Sequence, residues 1–310
     1  MGRIAYCNGR YLDLAEPAFP LEERAAQFAD GVYEVMKVLG GEIRDLPLHL
    51  DRLERSCGAI SLVLPMSRRA LVLVLHETLR RNALADALLY LPVSRGVAPR
   101  NHPFPPNVRP SLAVTVRRAM FPSRVELEEG VRVLTLPDER WARCDIKSIA
   151  LLPNLLARQK AKAAGCREAW LVDREGRVTE GSSSNAWIVD ADGRLVTRPL
   201  GPEILGGVTR AVLIALARGH GVEVVERAFT VAEAKAAREA MLSSTSSFLL
   251  PVTEIDGTVI GNGRPGSVWS RLQELYARHE RLPARHWPEP SRAPARSCGK
   301  MFLAADGTAR

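Results

Sequence analysis

Apolar and polar positions change period along this chain in a way that separates strands from helices. Residues Gly31 to Val38 alternate as a half-buried strand does, and the strand is closed by Gly40-Gly41. From Leu46 to Ile60 the spacing becomes helical, with Leu46, Leu50, Leu53, Cys57 and Ile60 on one side. Ser67 is placed to cap a second helix that buries Leu71, Val74, Leu75, Thr78 and Leu79. Strands follow at Leu88–Ser94 and Leu112–Val116, separated by a proline-stiffened loop. Pro92 cannot donate to a ladder, so it predicts an edge strand or a bulge. The polar stretch around Glu22-Glu23-Arg24 reads as a short helical piece between turns.

The second half continues with a strand at Val131–Leu136 and a helix from about Leu152, with Pro153 tolerated in its first turn and a stop at Gly165. Short strands at Ala169–Asp173, Val178–Glu180 and Ala186–Val189 turn at Glu175-Gly176 and Asp192-Gly193. A helix follows Gly206-Gly207-Val208-Thr209. Strand Glu223–Glu226, a helix over Ala232–Arg238, a strand at Ala240–Leu242 and a strand pair turning at Asp256-Gly257 come next. An amphipathic helix over Val268–His279 closes the pattern. We divide the chain into an N-terminal domain at 1–118, a linker at 119–125 and a C-terminal domain at 126–282. Residues 283–310, rich in Pro, Arg and small side chains, read as a flexible tail.

At 310 residues, 46% hydrophobic and 25% charged, the chain has the profile of a globular protein with room for two cores. No apolar run approaches the roughly 20 residues of a membrane helix, and the N-terminus lacks the apolar core of a signal peptide. Five scattered cysteines with no Cys-x-x-Cys pair point to reduced thiols, a cytoplasmic setting and no metal module. The net charge of +8 raises a nucleic-acid-binding alternative, but the arginines are spread over every segment with no basic stripe interleaved with aromatics.

Candidate chemistry sits between Cys144 and Asn185. Lys147 stands just before an apolar run that opens a helix, and Glu180 precedes a Gly-Ser-Ser-Ser-Asn turn. A lysine able to form a Schiff base and an acid able to hold a pyridinium nitrogen are what pyridoxal 5'-phosphate (PLP) requires. Its phosphate needs backbone N–H groups at a helix start, hydroxyls and a cation. Gly206-Gly207-Val208-Thr209, Ser244-Thr245 and Arg52 offer these, although each alone is more ordinary as a turn or a solvated side chain. Asp145, beside the lysine, is expected to face away from it.

The order of these motifs resembles the fold-type IV PLP-dependent transaminases, and most closely the D-amino acid aminotransferases among them. Four stretches carry the resemblance: Asp30-Gly31-Val32-Tyr33-Glu34-Val35, Asp51-Arg52-Leu53, the Lys147 and Glu180 pair, and Leu205 to Arg210. It implies an α/β (α+β) fold with a small N-terminal α/β domain and a larger, mixed, β-barrel-like C-terminal domain. It implies Lys147 as the Schiff-base lysine and Glu180 as the partner of the ring nitrogen. Arg52, Val208, Thr209, Ser244 and Thr245 are then the phosphate cup, and Leu205 packs on the ring. Tyr33, Val35, Arg100 and His102 become substrate-binding residues, with Arg100 and His102 reaching in from the partner subunit of a homodimer. The implied reaction exchanges an amino group between a D-amino acid and a 2-oxo acid such as 2-oxoglutarate or pyruvate.

Three positions depart from the family's pattern: Pro92, Ala150 and Phe248, the last expected to reshape the side-chain pocket. Rival activities on the same fold are a branched-chain L-amino acid aminotransferase, which does not need the Arg100 and His102 pair, and a 4-amino-4-deoxychorismate lyase, which eliminates pyruvate and consumes no second oxo acid. An amine transaminase acting on substrates without a carboxylate is argued against by that same pair.

Overall fold

The computed structural model describes residues 3–16 and 18–281. The expected tail at 283–310 lies outside the described residues. In the N-terminal part the chain forms β1 (Ile4–Cys7), β2 (Arg10–Asp13), α1 (Arg24–Phe28), β3 (Gly31–Leu39), β4 (Glu42–Ile43), α2 (Leu46–Ala59), α3 (Arg68–Asn82), β5 (Ala87–Ser94) and β6 (Ser111–Arg118). The strands make one antiparallel sheet in the order β2-β1-β6-β5-β3-β4. Its core joins Val32, Met36, Leu89, Leu91 and Val114 to Leu50 and Leu53 of α2 and Leu71 and Leu75 of α3. Ser67 caps α3 as its spacing predicts, its hydroxyl accepting from the Ala70 N–H at 3.3 Å.

The second part contains α4 (Arg124–Glu128), β7 (Val131–Pro137), α5 (Leu152–Ala163), β8 (Glu168–Val172), β9 (Val178–Gly181), β10 (Asn185–Val189), β11 (Leu195–Thr197), α6 (Val208–Gly219), β12 (Val224–Glu226), α7 (Val231–Lys235), β13 (Glu239–Ser244), β14 (Phe248–Ile255), β15 (Thr258–Val259) and α8 (Ser267–Glu280). These strands form a nine-stranded mixed sheet ordered β12-β11-β10-β13-β14-β7-β8-β9, with β15 paired to β14. The continuous apolar run of β10, all of it buried, is the signature of a strand covered on both faces. Trp170, Trp187, Phe229, Met241 and Tyr276 fill the core between this sheet and helices α6 and α8. Among the described residues, no helix is long and apolar enough to cross a membrane.

Two expectations need correction. Pro92 lies in an interior strand, between β3 and β6, not at an edge. The ladder absorbs it by interruption: β5 pairs with β6 at Tyr90↔Thr115 and Val93↔Leu112, with no rung at Leu91 or Pro92. Phe248 does not line the pocket. It starts β14 at φ 54°, fully buried between Phe121 and Tyr276. The polar stretch around Glu22-Glu23-Arg24 leads into a short helix, α1, as its composition predicts, and Glu23 and Arg24 are buried. Glu23 accepts from Ser111 at 2.8 Å and from Ser94, while Arg24 pairs with Asp30 at 2.7 Å.

One strand edge positions the site. β4 covers only the far end of β3, so the near end is free, and residues 147–149 close it. Tyr33 donates its N–H to the Lys147 carbonyl at 2.9 Å, and Ile149 donates to the Gly31 carbonyl at 3.1 Å. Gly31 admits this arrangement because a Cβ there would stand 2.5 Å from the Val93 carbonyl oxygen and 3.1 Å from Ile149 Cδ1. Gly31→Ala is therefore expected to cost about 1–3 kcal/mol, because backbone must shift to admit the methyl. Urea denaturation checks it, and a change below a few tenths of a kcal/mol would contradict the close approach.

Candidate active site

Residues from both sheets line a cavity of about 410 Å³ that contains Lys147, Glu180, Arg52 and the start of α6. On β3 the side chains alternate, so Tyr33 and Val35 face the cavity while Glu34 points beneath it toward α2. The Lys147 ammonium lies 4.2 Å from the centre of the Tyr33 ring, and the Lys147 N–H donates to Ser56 Oγ of α2 at 3.3 Å. Asp145 is turned away as expected, its carboxylate held by both ends of the Arg143 guanidinium at 2.9 Å. Ala150 lies exposed at the cavity, and its N–H donates to Ser148 Oγ.

Arg52 is braced from below. Its Nε and Nη2 donate to the two oxygens of Glu34 at 2.7 and 2.8 Å, and Nη1 donates to the Gly206 carbonyl at 3.1 Å. His49 adds a third contact to Glu34 at 2.8 Å. Burial alone would raise the Glu34 carboxyl, yet the Arg52 fork and His49 bring it down to about 2. Burial lowers His49 in turn, against the pull of the Glu34 carboxylate.

Glu180 closes the opposite end. Burial pushes its carboxyl up to about 7, against the pull of Arg140. Arg140 donates to it at 2.5 Å, Asn185 Nδ2 at 3.0 Å and the Leu205 N–H at 3.1 Å. Asp138 orients Arg140 from the other side at 2.8 Å. The Ser-Ser-Ser turn after Glu180 is shaped by a residue of β8: Glu168 accepts from the hydroxyls of Ser182, Ser183 and Ser184 and pairs with Arg158 at 3.0 Å.

The anion cup forms where α6 begins. Gly207 caps this helix without any side-chain hydrogen bond, so the first-turn N–H groups of Val208 and Thr209 keep their donors for a ligand. A Cβ on Gly207 would stand 2.1 Å from Asn185 Oδ1, which is why the cradle needs glycine there. Leu205, Ser244 and Thr245 line the same cavity. A phosphate, a ring nitrogen and an aldehyde thus find an N–H cup with a cation, a buried acid and a lysine in one space, so the donor set fits PLP.

Arg100 and His102 do not reach the cavity of their own chain. Both are exposed and rest on Phe28, with the Arg100 guanidinium 4.5 Å and the His102 ring 5.4 Å from its centroid. The loop beneath them is stiff: Arg24 donates to the carbonyl of Asn101 at 2.6 Å, and Arg95 lies 3.4 Å over Phe104. The sequence reading missed Glu34, His49, Arg140, Asp138 and Asn185. For Glu34 a signal existed, since its one-residue offset from Tyr33 and Val35 places a carboxylate on the opposite face, which must be buried. For Arg140 no spacing pointed to the site.

Because the folded Glu34 carboxyl lies below its ordinary value of 4.5, its ion pair stabilises fully above that pH and is lost as pH falls toward 2. Glu34→Gln should cost about 3–5 kcal/mol at pH 7, since Arg52 is left uncompensated. The gap between variant and wild type should narrow in denaturation at pH 3, and a gap independent of pH would contradict the assignment.

Comparison with known proteins agrees with this geometry. A family model described as amino-transferase class IV matches residues 31–255. D-alanine aminotransferase of Bacillus licheniformis is 38% identical over 86% of this chain and 93% of its own length. The enzyme of the same name from Listeria monocytogenes is 36% identical over 87% and 93%. Among solved structures, the branched-chain aminotransferase of Thermoproteus uzoniensis has a TM-score of 0.80 at 28% identity, covering 90% of this chain and 94% of that one. A hypothetical aminotransferase of Mycobacterium tuberculosis in its PLP-bound form superimposes with a TM-score of 0.77 at 25% identity over 89% of this chain and 98% of that one. With a lysine, a buried acid and an anion cup facing one cavity, the chain belongs to the class IV aminotransferases and takes PLP as its cofactor.

Proposed function

We propose that the protein exchanges an amino group between a D-amino acid such as D-alanine and a 2-oxo acid such as 2-oxoglutarate or pyruvate. It would act as a homodimer in which Arg100 and His102 of each chain serve the partner's cavity. The observation that carries this reading is the placing of that pair. They are exposed, outside their own cavity, on a loop pinned by the buried Arg24 and Arg95. An arginine fork and an imidazole held rigidly at a surface suit a carboxylate delivered across an interface. The outward face of α5 supports a partner, because Leu152, Leu155 and Leu156 lie exposed at helical spacing.

PLP, when bound, supplies the electron sink that makes the substrate Cα–H acidic. The chain's own residues do the rest. Lys147 Nζ moves the Cα proton, working above the Tyr33 ring. Glu180, held by Arg140 and Asn185, presents its carboxyl to the ring nitrogen. Arg52, Thr209 and the α6 N–H groups hold the phosphate, with Ser244 and Thr245 at the other side of the cup. Tyr33 and the partner's loop fix the substrate carboxylate, and that end of the pocket sets which face of Cα meets Lys147. Val35 then borders the side chain. The named relatives that share over a third of their residues with this chain are D-alanine aminotransferases, which supports the same reading.

Lys147→Ala should abolish the visible absorption band of the bound cofactor and slow transamination roughly 10²- to 10⁴-fold. Arg100→Ala should lower kcat/KM for D-alanine about 10- to 100-fold, the worth of a charge-assisted carboxylate contact. Mixing the two impaired variants tests the interface. Subunit exchange should restore about a quarter of the sites' activity, whereas a mixture as inactive as its components would put Arg100 on its own chain's cavity. Turnover of L-leucine in place of D-alanine would favour the branched-chain reading.

A further inference from the structure

The cavity carries one cation to which the proposed reaction gives no task. Of the residues that line it, Glu180 alone is a carboxylate, against Lys147, Arg52, Arg140 and Arg117. Three of these cations are accounted for. Lys147 is the cofactor lysine, Arg52 is held by Glu34, and Arg140 is held by Asp138 and Glu180. Arg117, near the end of β6, is exposed, and among the described residues its guanidinium makes no ion pair.

Strand register says where along the cavity Arg117 stands. Residues directly opposite on antiparallel strands share a face, and so do residues two apart on one strand. Val35 pairs with Tyr90, and Tyr90 with Thr115; one step further along the strands, Lys37 pairs with Leu88, and Leu88 with Arg117. Tyr33, Val35, Leu88 and Arg117 therefore lie on one face, and all four line the cavity. Tyr33 marks one end of that face and Arg117 the other, with Val35 and Leu88 between them. Lys37 shares the face but is drawn off to Glu280 of α8. From strand spacing and rise, the backbone of Arg117 stands roughly 12 Å from that of Val35. An arginine side chain and the side chain of a substrate close such a gap between them.

Under the proposed reaction, Tyr33 and the partner's loop hold the α-carboxylate and Val35 borders the side chain. A substrate so placed runs its side chain away from Tyr33, past Val35, toward Leu88 and Arg117. A short apolar wall followed by a guanidinium suits a side chain of a few carbons that ends in an acid, because the arginine fork meets a carboxylate with two parallel hydrogen bonds. An arginine on an outer surface is ordinarily solvated. This one faces a cavity whose single carboxylate is engaged by Arg140.

We propose that Arg117 is a specificity-determining residue that receives the distal carboxylate of acidic substrates, so that the enzyme favours dicarboxylic amino acids and 2-oxo acids over neutral ones of equal length. The inference rests on the D-amino acid reading of the same site. It gives the cavity two carboxylate clamps, one lent by the partner subunit and one built into the chain's own β6.

The test compares D-glutamate with D-glutamine, which differ in distal charge and hardly in length. Each is mixed with the holoenzyme, conversion of the bound cofactor is followed by its absorption, and the ratio of the two kcat/KM values is recorded. The wild type should favour D-glutamate, and Arg117→Gln should lower the ratio about 10- to 100-fold. Arg117→Glu should lower it further, because like charges then meet. Arg118→Gln removes the same charge one residue away, on the opposite face of β6 and outside the cavity lining, and should leave the ratio as it is. A wild type without preference for D-glutamate, or an Arg117→Gln variant with the wild-type ratio, would overturn the proposal. Equal falls in Arg117→Gln and Arg118→Gln would also overturn it, since they would mean long-range attraction by net charge. D-alanine separates this inference from the reading beneath it. If D-alanine converts the cofactor while Arg117→Gln leaves the ratio unmoved, the D-amino acid reading stands and the role of Arg117 falls. If D-alanine converts nothing, both fall.

Discussion

The pairing of the free edge of β3 with residues 147–149 is the constraint on which the cavity depends. Two backbone hydrogen bonds, from Tyr33 to Lys147 and from Ile149 to Gly31, join a segment between β7 and α5 to the N-terminal sheet. Backbone pairing fixes a strand's register and with it the side of the sheet to which each side chain points. The same few residues of β3 therefore set the height of Lys147, the placing of Tyr33 and Val35 around it, and the burial of Glu34 below. A slip of one residue would exchange Tyr33 for Glu34 at the cavity wall.

Around that frame, Arg52 and Glu180 are each braced by a second, buried ion. Glu34 and His49 hold Arg52, and Arg140 with Asp138 holds Glu180. Arg24, Asp30 and Arg95 stiffen the loop that carries Arg100 and His102. Buried pairs contribute little net stability, because desolvation offsets most of the attraction. Their use here is geometric. A planar guanidinium tied at two nitrogens has one orientation left, and the ligand does not have to supply the entropy of ordering it.

Much of this was legible in the sequence, for reasons that differ by element. Gly31–Leu39, Leu46–Ala59 and Arg68–Asn82 announce themselves because each buries one face only, so its period is visible. Lys147, Glu180 and the Gly206-Gly207 turn are legible because a cofactor needs rare residue types in a fixed order. What escaped depends on contacts far apart in the chain. Glu23 and Arg24 look solvated until Ser94, Ser111 and Asp30 fold against them. Pro92 argued for an edge because sequence shows the missing donor but not the neighbouring strand that tolerates its absence. Phe248 seemed to face the pocket because its neighbours Ser244 and Thr245 do. A left-handed backbone at Phe248 itself turns its ring into the core instead. The three-residue strand Leu195–Thr197 is too short to show any period.

The turn after Glu180 has a consequence for how this cavity tolerates change. One carboxylate, Glu168, gathers three serine hydroxyls and an arginine. The dependence is lopsided. Loss of any one serine leaves Glu168 its other partners, so the turn erodes by degrees. Loss of Glu168 orphans every hydroxyl together. The serines are thus a redundant set, each exchange retuning the cavity floor a little, while the single glutamate serves all three at once. Variation in the floor is cheap at the rim of the hub and forbidden at its centre.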